Sequence, residues 1–205
     1  METADIGHYK IDWDSTLGVG SFGEVYRATD IRNGRIVAAK MIIPPKNNYR
    51  SIIKSNIRQE MDVLRAVQGH PNILKVLDTY EEMKSKKFWI MTELCSNGNL
   101  EDYMKLYDVN ISHKVRIMRQ VSSGLAFLHG MKPNPIVHRD IKPENTLLDE
   151  NHTARLCDFG VSRVLANMND VPLTAVGTEI YKAPELFQSS PDYDETVDIF
   201  SAGIM

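Results

Sequence analysis

This chain of 205 residues lacks the features that mark several classes of protein. It has two cysteines, Cys95 and Cys157, which lie far apart and match no zinc-binding spacing. Its acidic amino terminus has no apolar signal-peptide segment behind it, and no hydrophobic run approaches the length of a membrane span. Repeats and low-complexity segments are absent, and the net charge is only −3. We therefore expect reduced thiols in a cytoplasmic or nuclear protein, with neither nucleic acid nor a membrane as bulk partner.

The composition itself is that of an ordinary soluble globular protein. Hydrophobic residues make up 42% of the chain and charged residues 25%, which is enough to bury a core. The length suits one domain, or two small lobes that share a cleft.

One stretch carries most of the chemistry that the sequence offers. Residues 138–145 read His-Arg-Asp-Ile-Lys-Pro-Glu-Asn, and Asp-Phe-Gly follows at residues 158–160. A tripeptide such as His-Arg-Asp alone is common and usually belongs to a surface loop. The full octet, followed at this spacing by Asp-Phe-Gly, indicates a functional site.

The residue types in this stretch suit phosphoryl transfer. Asp140 can accept a proton from a hydroxyl group, and Lys142 can neutralise a transferring phosphoryl group. Asn145 and Asp158 can share Mg²⁺. Positioning and charge neutralisation do most of the catalysis in such reactions.

A glycine-rich segment lies between two predicted strands near the amino terminus. Residues 9–43 read as three antiparallel strands, with Asn33-Gly34 as the turn between the second and the third. Three spaced glycines, Gly18, Gly20 and Gly23, are weak evidence alone. Because strands flank them and no helix follows, they favour a phosphate-covering flap over a dinucleotide-binding βαβ unit.

Lys40 follows in a strand predicted over residues 36–40 and ending at this lysine. Such a lysine can reach solvent or mark a sheet edge, but its place after the glycines favours an interior cation that faces phosphates. A carboxylate partner is then expected, and Glu60 is the candidate, although a solvated glutamate is the ordinary alternative. Glu60 lies in a helix predicted from apolar residues at intervals of three or four: Ile53, Ile57, Met61 and Leu64.

Two more strands, over residues 73–77 and 88–92, precede a polar linker at residues 93–98 that is the best candidate for a boundary between lobes. Beyond it, Ser112 is the predicted N-cap of a core helix ended by Gly130. The apolar stripe of that helix comprises Met118, Val121, Leu125 and Leu128.

The remaining segments close the site and lead to a last helix. Two short strands, at residues 146–148 and 154–157, would place Asn145 and Asp158 side by side. Residues 161–178 show little periodicity and are long enough for a mobile functional loop. A buried helix is expected at residues 198–205.

Together these motifs resemble the eukaryotic protein kinases, in family order, from about residue 9 to residue 205. Lys142 and the string at residues 177–185 resemble the serine/threonine type. The resemblance implies a bilobal α+β fold and an ATP-dependent protein serine/threonine kinase that uses Mg²⁺ and a protein substrate. A truncated, non-catalytic module that binds nucleotide or a partner is the alternative.

The implied lobes are a small antiparallel-sheet N-lobe at residues 9–93, a hinge at 93–98 and a mainly helical C-lobe at 99–205. Family members continue for several more helices, so this C-lobe is expected to be incomplete and Glu185 to lack its arginine partner.

The resemblance also implies a role for individual residues. Asp140 would orient and deprotonate the substrate hydroxyl, Lys142 would contact the γ-phosphate, and Asp198 would brace the catalytic loop. Asn145 and Asp158 would ligate Mg²⁺. The implied ATP-binding residues are Leu17, Gly18, Val19, Gly20, Ser21, Phe22, Gly23, Val25, Lys40, Glu60, Glu93 and Cys95, the last two through their backbones next to the gatekeeper Thr92.

A regulatory role for Thr174 is a further hypothesis. A phosphate on Thr174 would bring roughly −1.5 to −2 charges, which Arg139 could bind and so order the loop. An unmodified loop threonine is the equally weighted alternative.

Overall fold

A computed structural model describes residues 5–20, 23–43, 50–82, 87–133, 135–158, 163–164, 179–187 and 193–205. The chain divides into two compact units. The first comprises Met1–Ala66 and Lys75–Leu94, and the second comprises Val67–Leu74 and Cys95–Met205.

The first unit contains a six-stranded antiparallel sheet with the order β1-β2-β3-β4-β6-β5. Its strands are β1 Asp5–Ile6, β2 Tyr9–Gly20, β3 Gly23–Asp30, β4 Ile36–Ile42, β5 Val76–Glu82 and β6 Lys87–Glu93. The three strands predicted over residues 9–43 and the strand predicted over 88–92 are confirmed. The two-residue strand β1 is too short to leave a pattern in the sequence.

The predicted turn between β3 and β4 is also confirmed. Gly34 has a φ of 74°, a value that glycine adopts at little cost, and its N–H donates to the Asp30 carbonyl at 2.8 Å. On the core face of the sheet the fully buried side chains include Tyr9, Ile11, Val37, Trp89 and Met91. Their alternation along each strand gives the sheet its apolar face.

The helix α1 Arg50–Ala66 belongs to this unit, as the apolar spacing predicts. Ile57, Met61 and Leu64 are buried along it, between 5% and 6% exposed. Arg58 ties the helix to β5 through an ion pair with Glu81 at 3.0 Å.

The strand predicted to start at Ile73 is wrong, because β5 starts at Val76. Ile73 and Leu74 belong to the second unit, where the Leu74 N–H donates to the Leu156 carbonyl at 2.9 Å. These two apolar side chains therefore pack in the core of the second unit and not against the sheet.

Where the structure describes it, the second unit combines three helices with two small antiparallel pairs of strands. The helices are α2 Leu100–Leu106, α3 Ile111–His129 and α4 Thr196–Ile204. The strand β7 Ile136–Val137 pairs with β10 Arg163–Val164, and β8 Thr146–Leu148 pairs with β9 Ala154–Leu156. Short 3₁₀ turns lie at Pro143–Asn145, Glu179–Tyr181 and Pro184–Phe187. None of the helices in the described ranges is long and apolar enough to cross a lipid bilayer.

The core helix α3 buries Val121, Leu125 and Leu128 and has Gly130 as its C-cap, as expected. Met118 of the predicted stripe is only half-buried, and its neighbour Ile117 is buried instead. The predicted N-cap Ser112 is wrong. Asn110 caps the helix, and its side chain accepts a hydrogen bond from the His113 N–H at 2.9 Å. Asparagine and serine cap equally well, so residue type alone does not choose between them.

The last helix, α4, is buried on one face only. Val197, Asp198 and Ser201 are buried, whereas Ile199 and Ile204 are more than half exposed. The expectation of a buried helix therefore holds for the face that meets the rest of the second unit.

Candidate active site

A buried carboxylate on α4 holds the backbone of the segment at residues 138–145 in place. Asp198 has no exposed surface, and its Oδ2 and Oδ1 accept the backbone N–H groups of His138 at 2.8 Å and Arg139 at 2.7 Å. Arg139 has a φ of 65°, an uncommon value for a residue with a side chain. The two charge-assisted hydrogen bonds help to hold the backbone in this shape.

A third donor completes the contacts of Asp198. His129, the last residue of α3, places its Nε2 2.8 Å from Oδ2 of Asp198. Three groups from two parts of the second unit thus converge on one carboxylate, which compensates for its burial.

The imidazole of His138 is buried, and its two contacts identify its tautomer. Its Nδ1 accepts the Asp140 N–H at 3.3 Å, and its Nε2 donates to the Cys157 carbonyl at 2.9 Å. Because one ring nitrogen must accept and the other must donate, His138 is the neutral Nε2–H form. The ring links the predicted catalytic residue Asp140 to the segment that contains Asp158.

The side chains of Asp140, Lys142 and Asn145 form one cluster. The Asn145 Nδ2 donates to the Asp140 carbonyl at 2.8 Å and to Asp140 Oδ2 at 2.7 Å. The Lys142 Nζ lies 3.1 Å from the same Oδ2, and both charged side chains are nearly buried, 13% exposed for Lys142 and 11% for Asp140. Within the described ranges Asp140 Oδ1 accepts no hydrogen bond, so this oxygen is the one left to accept a proton from a bound hydroxyl group.

The two predicted metal ligands flank the hairpin of β8 and β9. Asn145 directly precedes β8. The Cys157 N–H donates to the Asn145 carbonyl at 3.0 Å, and Asp158 follows Cys157 in the chain. Because its Nδ2 is committed to Asp140, the Asn145 side chain offers its Oδ1 to a cation. Amide and carboxylate oxygens are ligands that Mg²⁺ prefers.

The residues present therefore fit Mg²⁺ held by one amide and one carboxylate. The described part of the chain contains no group of three or more histidine, cysteine, aspartate or glutamate side chains that could hold a metal by themselves. Mg²⁺ usually keeps several waters and binds phosphate oxygens in addition to one or two protein ligands, so a small set of ligands suits it.

A second carboxylate with hydrogen-bond partners, that of Asp149, closes the hairpin. Its Oδ1 accepts the N–H groups of Asn151 at 2.9 Å and Thr153 at 2.8 Å, and Arg155 lies 3.0 Å from Oδ2. Burial by itself would raise the pKa of Asp149, but the two backbone donors and the Arg155 guanidinium outweigh it and lower that pKa below its usual value.

The glycine segment lies in the first unit, where β2 ends at Gly20 and β3 starts at Gly23. Gly23 has a φ of 149°, and a Cβ there would collide with the Met41 carbonyl. Gly18 is different, because a Cβ there would meet nothing within 4 Å. The fold thus requires glycine at Gly23 and leaves room for a side chain at Gly18.

The other predicted ATP-binding residues of this segment differ in exposure. Leu17 is 45% exposed and Val19 is 77% exposed, while Val25 is half-buried opposite Gly18. Ser21 and Phe22 lie outside the described residues.

Lys40 is half-buried in β4, opposite Val25 on one side and Ile90 on the other. The strand continues to Ile42, so the prediction that it ends at Lys40 is wrong. Glu60 lies in α1, as predicted, but its side chain is outside the described residues, and the pair with Lys40 stays a prediction.

The predicted adenine-binding residues have their own backbone contacts. The Glu93 N–H donates to the Lys75 carbonyl at 3.0 Å, and the Glu93 carbonyl accepts the Thr92 hydroxyl at 3.1 Å. Cys95 is buried, and its carbonyl accepts the Gly98 N–H at 3.2 Å.

The sequence gives no indication of two residues that help to hold the segment 138–145. His129 contacts Asp198, which accepts the N–H groups of His138 and Arg139, and the Tyr193 hydroxyl lies 2.9 Å from Nη1 of Arg139. Both contacts join residues more than fifty positions apart, so no local spacing could have indicated them. Thr174, the candidate phosphorylation site, lies outside the described residues, as do Phe159 and Gly160.

Comparison with known proteins agrees with the chemistry of this site. Residues 11–205 match the protein kinase domain family. The chain is 36% identical over 189 residues to serine/threonine-protein kinase dst1 of Dictyostelium discoideum, covering 92% of this chain and 24% of that protein. It is 35% identical over 190 residues to serine/threonine-protein kinase TIO of Arabidopsis thaliana, covering 92% of this chain and 14% of that protein. The chain thus spans a quarter or less of the length of these relatives.

Proposed function

Because this chain belongs to the protein kinase domain family, we propose that it is the catalytic part of an ATP-dependent protein serine/threonine kinase. The observation that supports this most directly is the cluster of Asp140, Lys142 and Asn145 around one carboxylate oxygen. It combines a proton acceptor, a fixed cation and a metal-binding amide within one short segment, which phosphoryl transfer requires.

The reaction transfers the γ-phosphoryl group of ATP to a serine or threonine hydroxyl of a protein. Asp140 Oδ1 orients the hydroxyl and takes its proton, while Asn145 and Lys142 hold Oδ2 and so fix the carboxylate. The hydroxyl oxygen forms a bond to the γ-phosphorus, the bond to the β–γ bridging oxygen breaks, and ADP leaves. Lys142 offsets negative charge on the transferring group.

Asn145 Oδ1 and the Asp158 carboxylate would hold Mg²⁺, which neutralises phosphate charge when bound. Within the proposal, residues 17–25 cover the phosphates, and Lys40, paired with Glu60, contacts the α- and β-phosphates. The Glu93 carbonyl and the Cys95 backbone bind adenine. The proposed lobes keep the bounds 9–93 and 99–205, with the hinge at 93–98.

Two observations favour a serine/threonine kinase over the alternatives. Lys142 stands two residues after Asp140 in contact with its carboxylate, as the serine/threonine resemblance implies, and both relatives carry that name. A non-catalytic nucleotide-binding module is not favoured, since it has no need for the intact arrangement of Asp140, Lys142 and Asn145.

The experiment that tests this proposal identifies the amino acid that receives phosphate. The full-length protein is incubated with radiolabelled ATP, Mg²⁺ and casein, and the labelled casein is hydrolysed to its phosphoamino acids. We expect phosphoserine or phosphothreonine. Phosphotyrosine as the main product would contradict the assigned specificity, and nucleotide binding without any labelled product would favour the non-catalytic alternative.

A further inference from the structure

The last three residues of β2, at positions 18–20, are attached to the sheet through the start of β3. Earlier in β2 the pairing with β3 shifts twice, between Asp12 and Thr16 and between Thr16 and Gly18. Such bulges interrupt the ladder of hydrogen bonds and bend the strand. The pairs beyond the second shift join Gly18 to Val25, Val19 to Glu24 and Gly20 to Gly23. The position of residues 18–20 therefore depends on how firmly residues 23–25 are held.

The strand β4 holds the start of β3 from the other side. The pairing of β3 with β4 shows no shift, and it begins with Glu24 opposite Met41. Gly23 lies so close to β4 that a Cβ there would collide with the Met41 carbonyl. Because β3 is paired regularly where β2 is bulged, β3 is the firmer arm of this hairpin. Side chains that stiffen its start therefore also fix residues 18–20.

One contact between side chains stiffens the start of β3. The Tyr26 hydroxyl donates a hydrogen bond to Oε2 of Glu24, and the two side chains share one face of the sheet because they are two residues apart in the strand. On that face Glu24 lies beside the buried Met41, and within the described ranges it forms no ion pair. The Tyr26 hydroxyl thus stabilises a carboxylate that has apolar neighbours. We call this contact the Tyr26–Glu24 brace.

A pair of tryptophans supports the Tyr26 ring. Trp13 meets Tyr26 edge to face, with ring centroids 5.0 Å apart and an angle of 65° between the planes. Trp13 also contacts the buried Trp89 at 5.9 Å and 76°. Edge-to-face aromatic pairs add to the stabilisation that burial provides. The hydrogen bond to Glu24, together with burial, raises the pKa of Tyr26, so its hydroxyl keeps the proton that it donates.

We propose that Tyr26 is a positioning residue for the phosphates of ATP, on which it acts through the backbone of β3. This inference rests on the proposed function, in which residues 17–25 cover the phosphates. The brace fixes the strand on both sides of Val25, whose side chain points to the opposite face of the sheet. Without the Tyr26 hydroxyl the start of β3 would be held less firmly, and the backbone N–H groups of residues 18–20 would be less well placed for phosphate.

The test measures the affinity of the full-length protein for Mg-ATP and for adenosine by calorimetry. Adenosine has no phosphate, so its binding should not depend on the brace. Tyr26→Phe removes only the hydroxyl, and it should weaken Mg-ATP binding about fivefold or more while adenosine affinity stays within about twofold of the wild type. The KM for ATP should rise with the dissociation constant, and kcat should change less than KM.

Two substitutions of Glu24 separate the brace from packing around the Tyr26 ring. Glu24→Gln keeps an oxygen that can accept from the Tyr26 hydroxyl, so it should retain most of the affinity for Mg-ATP. Glu24→Ala removes the acceptor and should lose as much affinity as Tyr26→Phe. The variant with both Tyr26→Phe and Glu24→Ala should bind no more weakly than either single variant, because both substitutions remove the same contact.

The matched control is Tyr80→Phe, which removes an aromatic hydroxyl from β5 of the same sheet and should leave Mg-ATP affinity unchanged. Denaturant unfolding of each variant checks that the affinities refer to folded protein. Unchanged Mg-ATP affinity in Tyr26→Phe, an equal loss for adenosine, or additive losses in the double variant would overturn this inference and leave the proposed function intact. A wild type that binds no Mg-ATP would overturn both.

Discussion

The side-chain amide of Asn145 donates a hydrogen bond to the Asp140 carboxylate at 2.7 Å. We propose two roles for Asn145: its side-chain nitrogen orients the Asp140 carboxylate, and its side-chain oxygen ligates a cation. Substitutions that separate these two roles are therefore informative.

Asn145→Asp keeps an oxygen ligand for Mg²⁺ but replaces the donor with a second carboxylate beside Asp140. We expect kcat to fall about 10²-fold or more, since the base loses its orientation and gains a like-charged neighbour. Asn145→Ala should lose both roles, so the variant should also need a higher Mg²⁺ concentration for half-maximal rate. Steady-state kinetics over a Mg²⁺ titration measures both effects. A near-normal kcat in Asn145→Asp would show that the contact with Asp140 is dispensable.

Asp198→Asn should destabilise the second unit and slow catalysis. The carboxylate accepts hydrogen bonds from His138, Arg139 and His129. In Asp198→Asn an amide NH₂ group replaces one carboxylate oxygen, and this group cannot accept the hydrogen bond that the oxygen accepted. Loss of charge-assisted hydrogen bonds at a buried site should cost about 2–4 kcal/mol of unfolding free energy. Denaturant unfolding measures this loss. The matched variant His129→Gln, which keeps a donor, should lose less, and the opposite order would contradict this account.

Asp149 makes stability depend on pH in acid. Its pKa is lowered in the folded protein, so its contribution is present above the ordinary carboxyl pKa of 3.8 and is lost as the pH falls from there through the lower folded value. The wild type should therefore lose unfolding free energy more steeply below about pH 4 than Asp149→Asn does. Urea unfolding at a series of pH values checks this. Parallel slopes would show that the hairpin carboxylate is not stabilised by its donors.

Two glycines of the same segment should respond differently to alanine. Gly23→Ala should destabilise the protein by more than about 2 kcal/mol, because the new Cβ meets the Met41 carbonyl and the φ of 149° is unfavourable for it. Gly18→Ala meets no atom within 4 Å, and its unfolding free energy should change by less than about 0.5 kcal/mol. If Gly18 approaches phosphate, the KM for ATP should rise in Gly18→Ala. An unchanged KM in a stable variant would remove Gly18 from the ATP-binding residues.

Features with a local signal could be predicted from the sequence. The turn at Asn33-Gly34 requires a residue that tolerates positive φ, and α1 shows its apolar spacing directly. The catalytic segment could also be found, because Asp140, Lys142 and Asn145 act together through contacts within six residues of chain.

Features that depend on distant contacts could not be predicted. The apolar pattern predicts too early a start for β5, because Ile73 packs in the core of the second unit and does not belong to the sheet. The N-cap Asn110 precedes an exposed Ile111, so the apolar periodicity begins after the helix does. His129 contacts Asp198 and Tyr193 contacts Arg139 only because the tertiary fold brings these distant residues together.

Asp140 is proposed to act on the acceptor hydroxyl and not on ATP. The most direct measurement compares the full-length wild type with Asp140→Asn, using phosphoryl transfer from radiolabelled ATP to casein together with nucleotide affinity from calorimetry. We predict that Asp140→Asn loses about 10²–10⁴-fold in transfer rate while its affinity for Mg-ATP stays within a few-fold of the wild type. A transfer rate within a few-fold of an active wild type would contradict the assignment of Asp140.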